Sequence, residues 1–146
     1  MTLWACGSLF TNENDSAVNP HQPPIVSMIM SSHILLTIDV EDWFQVENFK
    51  QWIPFSSWQS YELRVEKNTH YLLDILDSIK LDKKTNPTPS PKGTFFVLGW
   101  IGERLPHLIR EIHSRGHEVA SHGYCHTLCK ECSSEDLRED LIDSKK

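Results

Sequence analysis

The chain has 146 residues, with 14 Lys and Arg against 20 Asp and Glu, for a formal net charge of −6. That length suits one domain rather than two, and it falls well short of the roughly 250 residues of a complete eight-stranded βα barrel. Apolar residues at 39% and charged residues at 23% exclude wholesale disorder, and an acidic balance without a basic stripe argues against nucleic acid or an anionic membrane surface as a partner.

Residues 1–32 read as a disordered or weakly ordered tail, because Asn12 to Pro24 is polar, Pro-bearing and without a period of 2 or 3.6. The fold is expected over 33–146. Ile34-Leu35-Leu36-Thr37-Ile38 is a short apolar run of the kind buried on both faces of a parallel sheet, and it ends in the acidic cluster Asp39-Val40-Glu41-Asp42. Trp43 to Tyr61 is an aromatic loop. Its rings either pack on one another or form a platform that stacks on sugar rings, with Trp43 and Phe44 the candidate substrate-binding pair.

Leu72, Ile75, Leu76 and Ile79 follow the i, i+3, i+4, i+7 pattern of an amphipathic helix over Glu66 to Leu81. Asp82 to Lys92 is a Pro-rich linker. Thr94 to Leu98 is a second strand. Leu105 to Ile112 is a second helix, with Pro106 in its first turn and Gly116 suited to a left-handed C-terminal cap. His117 to Ala120 is a third strand, with His117 a structural hydrogen-bonder. Ser121 to Cys132 is a loop, and Ser133 or Ser134 with Asp136 opens a third helix. The order β–α–β–α–β–α predicts an α/β fold with parallel strands, right-handed crossovers and one uncovered sheet face.

In βα folds functional groups gather at the C-terminal ends of strands. Two clusters fall there: Asp39, Glu41 and Asp42 after the first strand, and His122 and His126 after the third. Two imidazoles with one or two carboxylates form a metal-ligand set of the catalytic kind, which leaves positions open for water. Asp39 and Glu41 share a face by strand alternation, and Asp42 takes a ligand's place if the strand curls. A competing set is Cys125, Cys129 and Cys132 with either histidine, a small structural zinc module. Three clustered cysteines and a remote Cys6 do not make the framework of a disulfide-stapled secreted domain. No run approaches the ~20 apolar residues of a membrane span, and no signal-peptide pattern opens the chain. The chain therefore reads as cytoplasmic.

Thr37-Ile38-Asp39-Val40-Glu41-Asp42, Gly93-Thr94-Phe95-Phe96-Val97 and Gly116-His117-Glu118-Val119-Ala120-Ser121-His122-Gly123-Tyr124-Cys125-His126 together resemble the polysaccharide deacetylase family, the NodB-homology domain. The nearest likeness is to the subgroup associated with exopolysaccharide loci. The resemblance covers about residues 33–146. It implies the N-terminal part of an irregular (β/α) barrel, truncated, whose enzymes remove acetyl groups from acetylated polysaccharides or oligosaccharides with a divalent metal, commonly Zn2+. By position it makes Asp39 the general base, Glu41 the metal carboxylate with Asp42 the alternative, and His122 and His126 the metal-binding histidines. It further implies that the later family motifs, which carry an Arg that orients the base and a His acting as acid, have no counterpart after His126. Weak or no turnover is expected of this chain alone. The alternative is a non-catalytic metal- or glycan-binding remnant.

Overall fold

The computed structural model describes residues 3–6, 34–82 and 89–145, with side chains over the last two ranges. Three parallel strands carry the site: β2 (Leu35–Val40), β3 (Thr94–Val97) and β4 (Glu118–Ser121). Val40 lies opposite Val97, and Val97 opposite Ser121, so the three strands end at one level. Period-2 alternation divides the sheet. Ile38, Val40, Phe95 and Val97 are buried in one cluster with Leu73, Leu76, Leu108 and Ile112 from the helices. Asp39 and Phe96 belong to the opposite, half-buried face. This is the mixed α/β arrangement, with parallel strands, that the sequence pattern implies.

Two features differ from the sequence expectation. Leu3–Cys6, read with the tail, forms strand β1 and pairs antiparallel with β2, closing that strand's second edge. Residues 1, 2 and 7–32 of the expected tail, and residue 33 of the expected domain, lie outside the described residues. The second helical stripe is also preceded by a separate short helix. α2 (Gly99–Arg104) and α3 (Pro106–Ser114) are divided at Leu105 because Pro106 has no N–H to continue the ladder.

The first helix, α1, runs Val65–Ser78 and stops short of Leu81. Residues 83–88 of the expected linker lie outside the described residues. The last helix, α4 (Ser134–Asp143), starts as expected: Ser133 caps it and Asp136 returns the bond to the Ser133 amide. Gly116 ends α3 at φ +82, a conformation that L side chains rarely adopt. His117 Nδ1 accepts the Gly93 N–H, the structural role expected of it.

The aromatic loop is three 3-10 turns, Trp43–Gln45, Glu47–Phe49 and Phe55–Ser60. Its rings pack on one another, Phe44 touching Trp43, Trp58, Tyr61 and Trp100. Among the described residues, no helix is long and apolar enough to cross a membrane.

Candidate metal centre

Glu41 leaves the end of β2 and His122 leaves the end of β4, one strand apart across β3. The His122 N–H donates to the Val97 carbonyl, which extends the sheet pairing one residue and fixes where His122 begins. His126 returns to the same place after a loop of three residues. The two imidazole rings lie 4.8 Å apart, tilted by 39°. Glu41, His122 and His126 each offer a ligand atom, and these atoms lie within 4.8 Å of one another.

Glu41 is 3% exposed, and its Oε2 is buried without a hydrogen-bond partner. A buried carboxylate oxygen left so is costly unless a cation or donor answers it. His126 Nδ1 is 3.3 Å from that oxygen and 2.8 Å from the Gln45 carbonyl oxygen. The carbonyl can only accept, so the proton sits on Nδ1 and the Nε2 lone pair is left for a metal. Two imidazoles and one buried carboxylate whose Oε2 makes no hydrogen bond fit a divalent ion.

Burial lowers the proton affinity of His122. The Asp39 carboxylate opposes that shift, His126 adds to it, and Glu41 opposes it. The neutral ring is the form that ligates. Asp39 stands half-buried on β2, close enough to act electrostatically on His122. His126 adopts φ +59, a left-handed conformation that costs a non-glycine residue about 1 kcal/mol.

Asp42 is occupied differently from the ligand role held open for it. Its Oδ1 accepts the Trp43 N–H at 2.9 Å, and its Oδ2 accepts the Arg64 and Val65 N–H groups at 2.6 and 2.9 Å. The carboxylate therefore caps its own turn and, from 22 residues away in sequence, the N-terminus of α1, where a negative charge meets free amides. Asp42 lies outside the clustered ligand set.

Phe44 is 1% exposed and belongs to the core, so it has no free face for a sugar, whereas Trp43 is 39% exposed. The cysteines are not gathered into a clustered ligand set among the described residues. Cys125, Cys129 and Cys132 are free thiols, and among the described residues the clustered ligand set is Glu41, His122 and His126. His70 pairs with Glu111, and His107 with Glu66, both at the surface.

Two contributors carry no motif of their own. Gln45 presents its carbonyl to His126, and its side-chain Oε1 accepts the Asp42 N–H at 2.7 Å. The Asp42-x-x-Gln45 spacing of a capping box is the signal available for it. Asp140 of α4 accepts from the loop between the two histidines, and no local pattern marks it.

Parallel βα units with a carboxylate and two imidazoles at the strand ends define a chain of the α/β class with a candidate catalytic metal centre. Known proteins place it further. Residues 87–146 match the family model described as polysaccharide deacetylase. A peptidoglycan-N-acetylglucosamine deacetylase of Bacillus cereus is 30% identical over 80 residues, covering 47% of this chain and 38% of the relative. A chitooligosaccharide deacetylase of Sinorhizobium fredii is 34% identical over 53 residues, covering 36% of this chain and 25% of the relative. A crystal structure assigned to the polysaccharide deacetylases, from Mycobacterium smegmatis, is 30% identical with a TM-score of 0.47, covering 74% of this chain and 35% of that one. Over these stretches the chain is similar to polysaccharide deacetylases, and it spans well under half the length of the relatives it matches. The stretch matched by the family model includes both histidines and leaves out Asp39 and Glu41.

Proposed function

We propose that the chain carries the metal-binding half of a carbohydrate deacetylase centre. In this reading Glu41, His122 and His126 hold a divalent ion, and the nitrogen-rich set favours Zn2+. The observation that carries it is the clustering of two imidazoles with the buried Glu41 carboxylate, whose Oε2 has no hydrogen-bond partner. Asp42 is not needed as a ligand, since backbone amides already use its carboxylate.

A divalent ion held there supplies a Lewis acid for an acetyl carbonyl and for a bound water. Asp39 accepts the proton of the attacking water, which its half-buried carboxylate suits. Gln45 keeps the Nδ1 proton of His126 in place, so that Nε2 stays a ligand. Trp43, which is partly exposed, stacks on a sugar ring of an acetylated polysaccharide or oligosaccharide. The relatives' names support an N-acetylated glycan, and the Asp-Val-Glu-Asp-Trp stretch supports the exopolysaccharide-associated subgroup.

Release of acetate from acetylated chito-oligosaccharides by the Zn(II)-loaded chain tests the reading. The expected result is slow, metal-dependent release that Asp39→Asn abolishes while Zn(II) affinity is kept. Release indifferent to Asp39→Asn contradicts it. A second reading, metal binding without turnover, is favoured by one observation. Among the described residues no arginine is paired with Asp39; Arg64, Arg104, Arg115 and Arg138 pair with Glu62, Glu103, Asp74 and Glu135. Stoichiometric Zn(II) with no acetate release selects that reading.

A further inference from the structure

We infer that Asp140, on α4, is a positioning residue for the loop that carries both histidines; the inference rests on the metal-centre reading above. The segment 123–125 separates His122 from His126, and its peptide groups are held from two sides. The Gly99 and Trp100 N–H groups donate to the Gly123 and Tyr124 carbonyls at 2.8 and 3.2 Å. From the other side, the Asp140 carboxylate accepts the Tyr124 N–H at 3.0 and 3.1 Å through its two oxygens. Its Oδ1 also accepts the Cys125 N–H at 3.4 Å and the Cys125 thiol at 3.8 Å.

The loop is shaped to admit that carboxylate. Gly123 sits at φ +77, and a Cβ there would lie 2.7 Å from Asp140 Oδ2. A side chain at 123 would have to push the carboxylate of 140 aside, so the glycine leaves room for the aspartate. α4 is itself fixed at both ends. Ser133 and Asp136 cap its start, and just past its end Ser144 accepts a hydrogen bond from Ser121, the last residue of β4, at 2.7 Å.

The consequence falls on His126. It follows directly after the clamped peptides and holds the left-handed φ of +59 that brings its Nδ1 to Gln45. Without Asp140 the Tyr124 and Cys125 amides lose their acceptor, and the loop is free to relax away from that conformation. Outer partners that orient metal ligands are typically worth about 10–100-fold in metal affinity.

Zn(II) affinity, Co(II) absorption spectra and amide exchange of the metal-free chain are measured on the wild type, Asp140→Ala, Asp140→Asn and, as a control on the exposed side of α4, Glu139→Ala. Asp140→Ala is expected to weaken Zn(II) roughly 10–100-fold, to change the Co(II) ligand-field bands and to speed exchange at Tyr124 and Cys125. Asp140→Asn, which keeps one acceptor oxygen, is expected between the two and carries the test if Asp140→Ala does not fold. Glu139→Ala is expected to match the wild type. Wild-type affinity and spectrum in a folded Asp140 variant overturn the role of Asp140 alone, as does an equal loss in Glu139→Ala. A wild-type chain that binds no Zn(II) overturns the metal-centre reading and the inference with it.

Discussion

Nδ1 of His126 lies 2.8 Å from the main-chain oxygen of Gln45, 81 residues earlier in the chain. This bond joins the turn after β2 to the loop after β4 and sets the tautomer of the imidazole that faces Glu41. It makes the two halves of the candidate centre one unit.

Glu41 is expected to cost the metal-free protein stability, because its Oε2 is buried without a hydrogen-bond partner. Glu41→Gln removes the charge at nearly constant volume. Thermal melts without metal should show a stability equal to or above that of the wild type, by roughly 1 kcal/mol or less. The rise in Tm that Zn(II) gives the wild type should disappear. A large drop in the metal-free Tm contradicts this account of Glu41.

Asp42→Ala is expected to behave in the opposite way. It strands three main-chain amides, two of them at the start of α1. A lost cap together with unsatisfied partly buried donors should cost about 2 kcal/mol in urea unfolding. Asp42→Asn should recover part of the loss. Unchanged stability in Asp42→Ala would mean that the carboxylate is free for another role.

His117 is expected to make the fold acid-sensitive. Burial holds its proton affinity below the ordinary value of 6.5, Lys92 and Arg115 add to the shift, and Asp77 opposes it. Between the folded and unfolded values the unfolded chain binds more protons, so stability rises with pH across that window. Above 6.5 the contribution of His117 is fully present, and it is lost as pH falls toward the folded value. Urea midpoints taken from about pH 7 to pH 5 should fall more steeply for the wild type than for His117→Gln. Parallel profiles contradict the assignment.

Phe44 and Trp43 are adjacent, and their substitutions should separate. Phe44 is buried against Trp58, Tyr61 and Trp100, so Phe44→Ala should cost about 3–5 kcal/mol. Trp43 is partly exposed. Trp43→Ala should cost less than Phe44→Ala and should weaken binding of acetylated chito-oligosaccharides, read by intrinsic fluorescence or calorimetry. Equal stability losses would place both rings in the core.

Much of the βα succession was legible because its signals are local. Apolar runs marked β2 and β3, a 3.6-residue stripe marked α1, and Pro106, Gly116 and Ser133 marked helix ends. The candidate ligand types stood out for the same reason, since strand ends in βα folds collect function. The division of labour between Glu41 and Asp42 was not. Both carboxylates stand in one acidic run, and only the return of the chain at Arg64 and Val65 occupies Asp42. Phe44 and Trp43 were alike as aromatics until the packing of Trp58 and Trp100 buried one of them. Asp140 was illegible because its partners lie 15 and 16 residues upstream, where helical periodicity says nothing. Strand β1 was illegible because four residues carry too little pattern to mark a strand.

Zn(II) titration of the purified chain by calorimetry, with His122→Ala, His126→Ala and the double change Cys129→Ser with Cys132→Ser alongside, tests the central claim most directly. The expected result is one Zn(II) per chain, lost in either histidine variant and kept in the cysteine variant. Binding that survives both histidine changes and vanishes with the cysteines contradicts the proposed centre, as does a wild-type chain that takes up no ion.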